Sequence, residues 1–239
     1  METIDSYFRY CAEISKKSQI TEYNEHVLHI KNVFKDPYRM LKFQSLISKW
    51  ESCHNAKPGI MSLKLPYWTG EVIAKDMIPD LPQHDEYLNE SEFYYFYYNN
   101  TGLDSTTDDL RSNNCTLPHT DPGSDRSIPN MIGLINLNQR DVSTGFWEFD
   151  GCLTEDTDEI ADEYNDYCND INEHNFEEKT NSTLKKLFDV SYGFNEAIFY
   201  DSKAFHQPNI DKYYTRENPR IMMRLSYVLD EEEDECYDD

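Results

Sequence analysis

Leu117-Pro118-His119-Thr120-Asp121-Pro122-Gly123 is the stretch on which the reading of this chain turns. Side chains alternate along an extended segment, so His119 and Asp121 project to the same side. An imidazole and a carboxylate at that spacing can reach one metal ion without straining the backbone. The flanking Pro118, Pro122 and Gly123 fix the segment near a strand end. A lone His-x-Asp arises often by chance, and His84-Asp85 shows that the two residue types also meet here without such spacing. The reading therefore depends on what lies downstream.

A third donor comes from Ala197-Ile198-Phe199-Tyr200-Asp201-Ser202-Lys203-Ala204-Phe205-His206, an apolar strand that runs into a turn and then Phe-His. Two neutral imidazoles and one carboxylate form the facial triad that suits Fe(II), with positions left open on the metal. Beyond it, residues 219–229 read PRIMMRLSYVL. Period-2 alternation puts Arg220, Met222, Arg224, Ser226 and Val228 on one face. A buried Arg is costly unless paired. Its planar guanidinium grips a carboxylate in bidentate fashion, and Ser226 can add a hydroxyl donor on the same face. The plainer use of such an Arg is a structural ion pair with one of the many local acids.

With these residues in place, the sequence resembles the 2-oxoglutarate/Fe(II) dioxygenases of the prolyl-hydroxylase-like kind. Their pattern is His-x-Asp, a distant His, then Arg-x-Ser on the next strand. It matches His119-Thr120-Asp121, His206 and Arg224-Leu225-Ser226. Residues 131–138 (MIGLINLN) and 144–149 (TGFWEF) resemble the family's hairpin after His-x-Asp, with Thr144-Gly145-Phe146 a partial fit to its turn. Val33-Phe34-Lys35-Asp36-Pro37 is similar to the opening of a branch often found in phage and marine microbial genomes. The resemblance spans about Phe93 to Leu229.

It implies that His119, Asp121 and His206 are the metal ligands and catalytic centre, and that Arg224 and Ser226 bind the cosubstrate. Fe(II), 2-oxoglutarate and O2 would be consumed or used in a hydroxylation that yields succinate and CO2. The prime substrate is left unspecified, and so is the oligomeric state. Residue 224 lies 18 beyond residue 206, wider than the family's commonest spacing, so Arg216 and Arg220 are rivals for the cosubstrate carboxylate. The gap from 119 to 206 is long because an acidic insertion sits inside it. The scattered cysteines read most simply as free thiols in a reducing cytoplasm, which is the host cytoplasm if the protein is viral.

Working outward, Asp36-Pro37-Tyr38 predicts a helix start, with Asp as N-cap and Pro at the first helical position. Met40, Phe43, Ile47 and Trp50 follow at helical spacing. Val27–Ile30 reads as an edge strand. Residues 58–81 read as loops and brief strands, and Asn99–Asn114 as turn-rich. Phe93–Tyr98 (FYYFYY) reads as a strand, with Tyr95 and Tyr97 on one face and Tyr94 and Tyr98 on the other; a phenol from either face could meet the cosubstrate, and packing in the core and rim is the plainer use of most of them. Met131–Leu137 and Gly145–Phe149 are expected to be two strands of a hairpin linked by Asn138–Thr144. Leu184–Phe188 is expected to be a short helix, with further strands at Ala197–Tyr200 and Ile221–Leu229.

These elements predict a mainly β fold with flanking helices, a double-stranded β-helix (jelly roll). One domain would span 1–229: N-terminal helical support over about 1–57, and a jelly-roll core over about 58–229. An acidic insertion would occupy about 150–180, and a disordered acidic tail 230–239.

Composition narrows the partners. The formal net charge is −24 over 239 residues, with no basic stripe to offset it. Such a surface repels a phosphate backbone, so duplex nucleic acid is not expected as a partner, nor an anionic membrane. No apolar stretch reaches the length of a membrane span. The six cysteines show no C-x-x-C spacing, so neither a zinc ribbon nor a thioredoxin-like site is indicated. Two rival readings use the same residues: a cupin-like metal-binding jelly roll without turnover, and an interaction protein that uses its acidic insertion as a contact surface.

Overall fold

Met131–Ile135 and Ala197–Tyr200 are nearly unbroken apolar runs because both of their faces are buried. They belong to β6 (Asn130–Asn136) and β9 (Ala197–Asp201), hydrogen-bonded neighbours in the middle of a large antiparallel sheet. The structure is a computed structural model. It describes residues 4–24, 27–46, 50–52, 59–62, 92–98, 118–121, 130–154, 163, 184–209 and 220–228. Ile47, Arg216, most of 63–114, the acidic block after Thr154 apart from Glu163, and the tail 230–239 lie outside these residues, with the expectations placed on them.

The remaining elements are α1 (Ile4–Cys11), β1 (Gln19–Asn24), β2 (Val27–Lys31), α2 (Pro37–Ser45), β3 (Trp50–Ser52), β4 (Gly59–Ser62), β5 (Glu92–Tyr98), β7 (Val142–Phe149), β8 (Leu184–Tyr192), β10 (His206–Asn209) and β11 (Arg220–Val228). The large sheet runs β1-β2-β9-β6-β11-β5-β4-β3, and a small sheet runs β10-β7-β8. The architecture is a double-stranded β-helix with two flanking helices. No helix among the described residues is long and apolar enough to cross a membrane.

Alternation along the central strands builds two apolar layers. Ile135, Ala197, Phe199, Met223, Leu225 and Tyr227 face the helices and meet Phe8, Met40 and Phe43. Ile132, Ile198, Tyr200 and Met222 face the small sheet and meet Val142, Phe146 and Val190. Each such side chain contributes about 1.5–3 kcal/mol on burial. Gly133 lets the layers close: a Cβ there would lie 2.5 Å from the ring of Phe199. The helices dock through Phe8 and Phe43, whose rings meet edge-on at 5.0 Å.

Four expectations need correction. Strand β2 is not at the edge, because β1 pairs on its far side. The polar sequence QITEYN hides β1, in which Gln19, Ile20 and Thr21 are exposed.

Trp50 does not extend the helix. Helix α2 stops at Ser45, whose hydroxyl donates to the Lys42 carbonyl at 2.7 Å. Leu46 closes the turn by bonding back to Phe43, and Trp50 opens β3. Asp36 does occupy the N-cap position with Pro37 behind it, but makes no side-chain cap bond. Its carboxylate pairs with Arg39 Nε at 3.1 Å instead.

Residues 131–137 and 145–149 do not form a hairpin. Both edges of β6 are taken by β9 and β11, while β7 lies in the other sheet between β10 and β8. The polar link carries the chain from one sheet to the other. The Asn136 side-chain amide donates to the carbonyls of Arg140 and Tyr192. Its oxygen accepts from the backbone and side chain of Asn138, and Asn138 is itself bonded to the backbone of Ile221 in both directions.

Leu184–Phe188 is strand, not helix. It pairs with β7 through a register shift between Phe146 and Trp147, which skips Leu187. The half-exposed Leu187 is the bulged residue, and it gives LKKLF a false helical spacing.

Candidate metal centre

His119 and His206 form an isolated antiparallel bridge. The N–H of His119 donates to the His206 carbonyl at 2.8 Å, and His206 returns the bond at 2.9 Å. Residues facing each other in this way point to the same side of the ladder; the two imidazole centroids are 4.5 Å apart. Two residues on, the N–H of Asp121 donates to the Ser202 carbonyl at 2.7 Å. The segment is thus pinned at both ends to the turn that joins β9 to β10.

That turn is built locally. The Asp201 carboxylate accepts from the N–H of Lys203 at 2.8 Å, an Asx turn, and Ala204 N–H bonds the Asp201 carbonyl. Phe205 is gripped from outside: its N–H donates to Leu153 and its carbonyl accepts from Trp147. Leu153 follows Asp150 and Gly151, both with positive φ, as a two-residue type I′ turn requires. The first residues of the acidic block are therefore part of the frame that holds the turn, and Thr154 bridges directly to Ala204.

The donor atoms of His119, Asp121 and His206 all lie within 4.8 Å of one another. His206 Nε2 is 3.3 Å from Asp121 Oδ2, and His119 Nε2 is 4.0 Å from Oδ1. The Ala204 carbonyl, 2.9 Å from His206 Nδ1, can only accept, so Nδ1 carries the proton there. This leaves Nε2 to face the carboxylate. A bond to the ring nitrogen that faces away from a metal fixes the tautomer of a ligating imidazole. The His206 ring is buried and leans on Tyr200 at 4.7 Å. His119 is the most open of the three, with a side chain 25% exposed.

Arg224 enters from β11, and its Nη2 lies 2.9 Å from Asp121 Oδ2. Burial pushes the Asp121 carboxyl up, but Arg224, then His206 and His119, outweigh it and hold the carboxyl well below the usual range. Ser226 falls two residues along the same face of β11, half-buried. Arg220 begins β11 in register with Tyr98, and Tyr94 is the residue opposite Arg224. Tyr95 and Tyr97 register with Met223 and Ile221.

The donor set, two imidazoles and one carboxylate on a rigid backbone frame, fits a ferrous ion with open positions. Sequence reasoning missed the carbonyls of Ser202 and Ala204, which orient Asp121 and His206. Backbone groups carry no residue-type signature, although Asp201-Ser202-Lys203 between an apolar strand and Phe-His was a visible turn.

The fold and this arrangement together define a class: a double-stranded β-helix that brings two imidazoles and one carboxylate together in a facial-triad arrangement. No protein-family model matches the chain, and no curated protein matches it either. Among solved structures it is similar to the non-haem alpha-ketoglutarate-dependent carbocyclase SnoK of nogalamycin biosynthesis. The TM-score is 0.50 and the identity 12%, over 86% of this chain and 81% of that one. It also aligns with the non-haem alpha-ketoglutarate-dependent epimerase SnoN of the same biosynthesis, at TM-score 0.48 and 10% identity, over 94% of this chain and 82% of that one.

Proposed function

We propose that the chain is an Fe(II)- and 2-oxoglutarate-dependent dioxygenase that hydroxylates a substrate still to be identified. The convergence of His119, Asp121 and His206 within 4.8 Å carries the reading. In it these three residues hold the iron, and Arg224 with Ser226 receives the far carboxylate of 2-oxoglutarate. The bound metal and cosubstrate would supply O2 activation coupled to oxidative decarboxylation.

The chain's own residues do the rest. The bridge between residues 119 and 206 presents both imidazoles on one side. The Ala204 carbonyl keeps a proton on Nδ1 of His206 and so leaves Nε2 as a donor to the metal. Arg224, always charged, offers a fork that matches a carboxylate. Tyr200 and the apolar layer behind His206 keep water from the closed side of the site. SnoK is named a carbocyclase, so the fold hosts other outcomes. Hydroxylation is the one proposed here, on the resemblance of the motifs. We further propose a single oxygenase domain over 1–229, with 230–239 outside it.

The test is anaerobic. Iron-loaded protein mixed with 2-oxoglutarate should develop a visible metal-to-ligand charge-transfer band, and admission of air should release succinate. A fully loaded sample without the band overturns the reading and favours a metal-binding jelly roll without turnover.

A further inference from the structure

We propose that the chain carries a second binding site, for a free amino acid in its zwitterionic form, at the end of the sandwich away from the metal centre. A cavity of about 510 Å³ opens there, bordered by β1, β2, the residue before β7, β8 and the turn from β8 into β9. Strand β9 separates the two places. Glu196 stands just before it, and the turn that carries Ser202 and His206 follows it. Its five residues and the steps at either end put them roughly 15–20 Å apart.

Among the described residues no hydrocarbon side chain lines the cavity. Burial of apolar surface is not what it offers a ligand. It offers charge of both signs. Lys31 closes β2 and Asp141 precedes β7, and neither side chain has a partner among the described residues. Glu196 is the group that is fixed. Its Oε2 accepts from the N–H of Gly193 at 3.0 Å and lies 2.9 Å from Nε2 of the buried His29. Its Oε1 is left uncommitted. That oxygen and Asp141 Oδ1 face one space: a Cβ on Gly193 would stand 3.9 Å from the first and 3.1 Å from the second. Glycine leaves the space open. Two carboxylate oxygens bordering it suit an ammonium, which has three donors to give. They do not suit a metal ion, because among the described residues it is His119, Asp121 and His206 that bring three donor atoms within 4.8 Å.

Lys31 lies two residues beyond His29 on the same face of β2, and its ammonium is the partner for the carboxylate of the same molecule. Thr21, opposite His29 across β1 and β2, and Ser191 of β8 add hydroxyls that donate or accept. A lone anion would meet two carboxylates here and a lone cation would meet Lys31, so a molecule with one charge of each sign fits best. The frame is stiff. Asn195 takes a left-handed φ of 64°, and its side chain bonds both the N–H and the carbonyl of Phe34 at 2.8 Å. Its own N–H donates to Asn136 and its carbonyl accepts from Val33. The turn that carries Gly193 and Glu196 is thereby tied to the ends of β2 and β6, and a ligand need not order it.

Titration of the 15N-labelled, metal-free chain with each of the twenty L-amino acids tests this apart from turnover. At least one should bind with a dissociation constant of about 1 mM or tighter and shift the amides of Ser191, Gly193 and Glu196. Its N-acetyl and α-carboxamide derivatives each lack one charge and should bind at least about tenfold more weakly. Lys31→Met and Asp141→Asn change exposed side chains and should weaken binding of the parent amino acid by a similar factor. Gly193→Ala should do so too, because its methyl takes the place of the ammonium.

No binding by any of the twenty at about 10 mM, tenfold above that constant, overturns the proposal. Binding that survives all three substitutions overturns it equally, as does a shift at His206 with Gly193 unmoved, which would put the molecule at the metal centre. Derivatives that bind as well as the parent would show that the two charges are not read. Should Gly193→Ala fail to fold, the two exposed variants carry the test. The cavity shares no residue with the metal centre, so this titration and the charge-transfer experiment succeed or fail independently.

Discussion

His119 and His206 are both imidazoles of one candidate centre, yet they stand in different surroundings, and substitution should separate them. His206 is buried, bonded to Ala204 and packed on Tyr200. His119 is partly open. His119→Ala should abolish the Co(II) absorption of the metal-loaded protein with little change in the metal-free urea midpoint. His206→Ala should abolish it too and also lose about 1–3 kcal/mol of stability. Equal stability losses would mean that the burial described for His206 does not hold in solution. Asp121 gives a second prediction, for the metal-free protein. Its carboxyl is held below the ordinary value of about 3.9, so the folded state binds its proton less readily than the unfolded state. The stability this contributes is present above that value and disappears as pH falls through the lower, folded one. The 13C carboxyl signal of Asp121 should therefore stay ionised while exposed carboxylates protonate; titration along with them would deny the ion pair with Arg224. At this scale much was legible in the sequence, since imidazole, carboxylate and guanidinium announce their chemistry by residue type. The carbonyls that aim them do not.

Strands with buried faces were legible as elements for a similar reason: β6 and β9 read as nearly unbroken apolar runs, and β11 as an apolar run interrupted by Arg224 and Ser226. Their partners were not. Polar β1 and the four-residue β10, with Pro208 inside it, lie at sheet edges where little apolar area is needed and Pro is tolerated. The bulge at Leu187 shifted the phase of β8 so that period 3–4 outcompeted period 2. The supposed hairpin failed because pairing is decided across the molecule, by which edges of β6 are already taken. Gly133 offers the element-scale prediction. Gly133→Ala forces a methyl into the Phe199 ring, at a spacing real Cβ atoms do not tolerate, and should destabilise by about 1–3 kcal/mol in urea melts. Combining it with Phe199→Leu should recover part of that loss relative to the sum of the single changes. Full additivity would mean that the two residues do not share the space described.

For the molecule as a whole, 46 acidic residues against 22 basic ones leave the chain at −24. Such a surplus repels itself, and salt screens exposed charges over about 8 Å at physiological ionic strength. The metal-free protein should melt several degrees higher in about 0.15 M salt than in dilute buffer, and a melting point that falls with salt would point to attractive pairs outweighing the surplus. The bridge from His119 to His206 has another reach. It ties together residues 87 positions apart, and contacts so distant in sequence form late and slowly. The frame that presents the donors is nevertheless secured by backbone bonds that need no ion. On the proposed function, iron would add to a frame that the backbone already ties together, so cells starved of the metal should still accumulate folded protein, ready for loading afterwards.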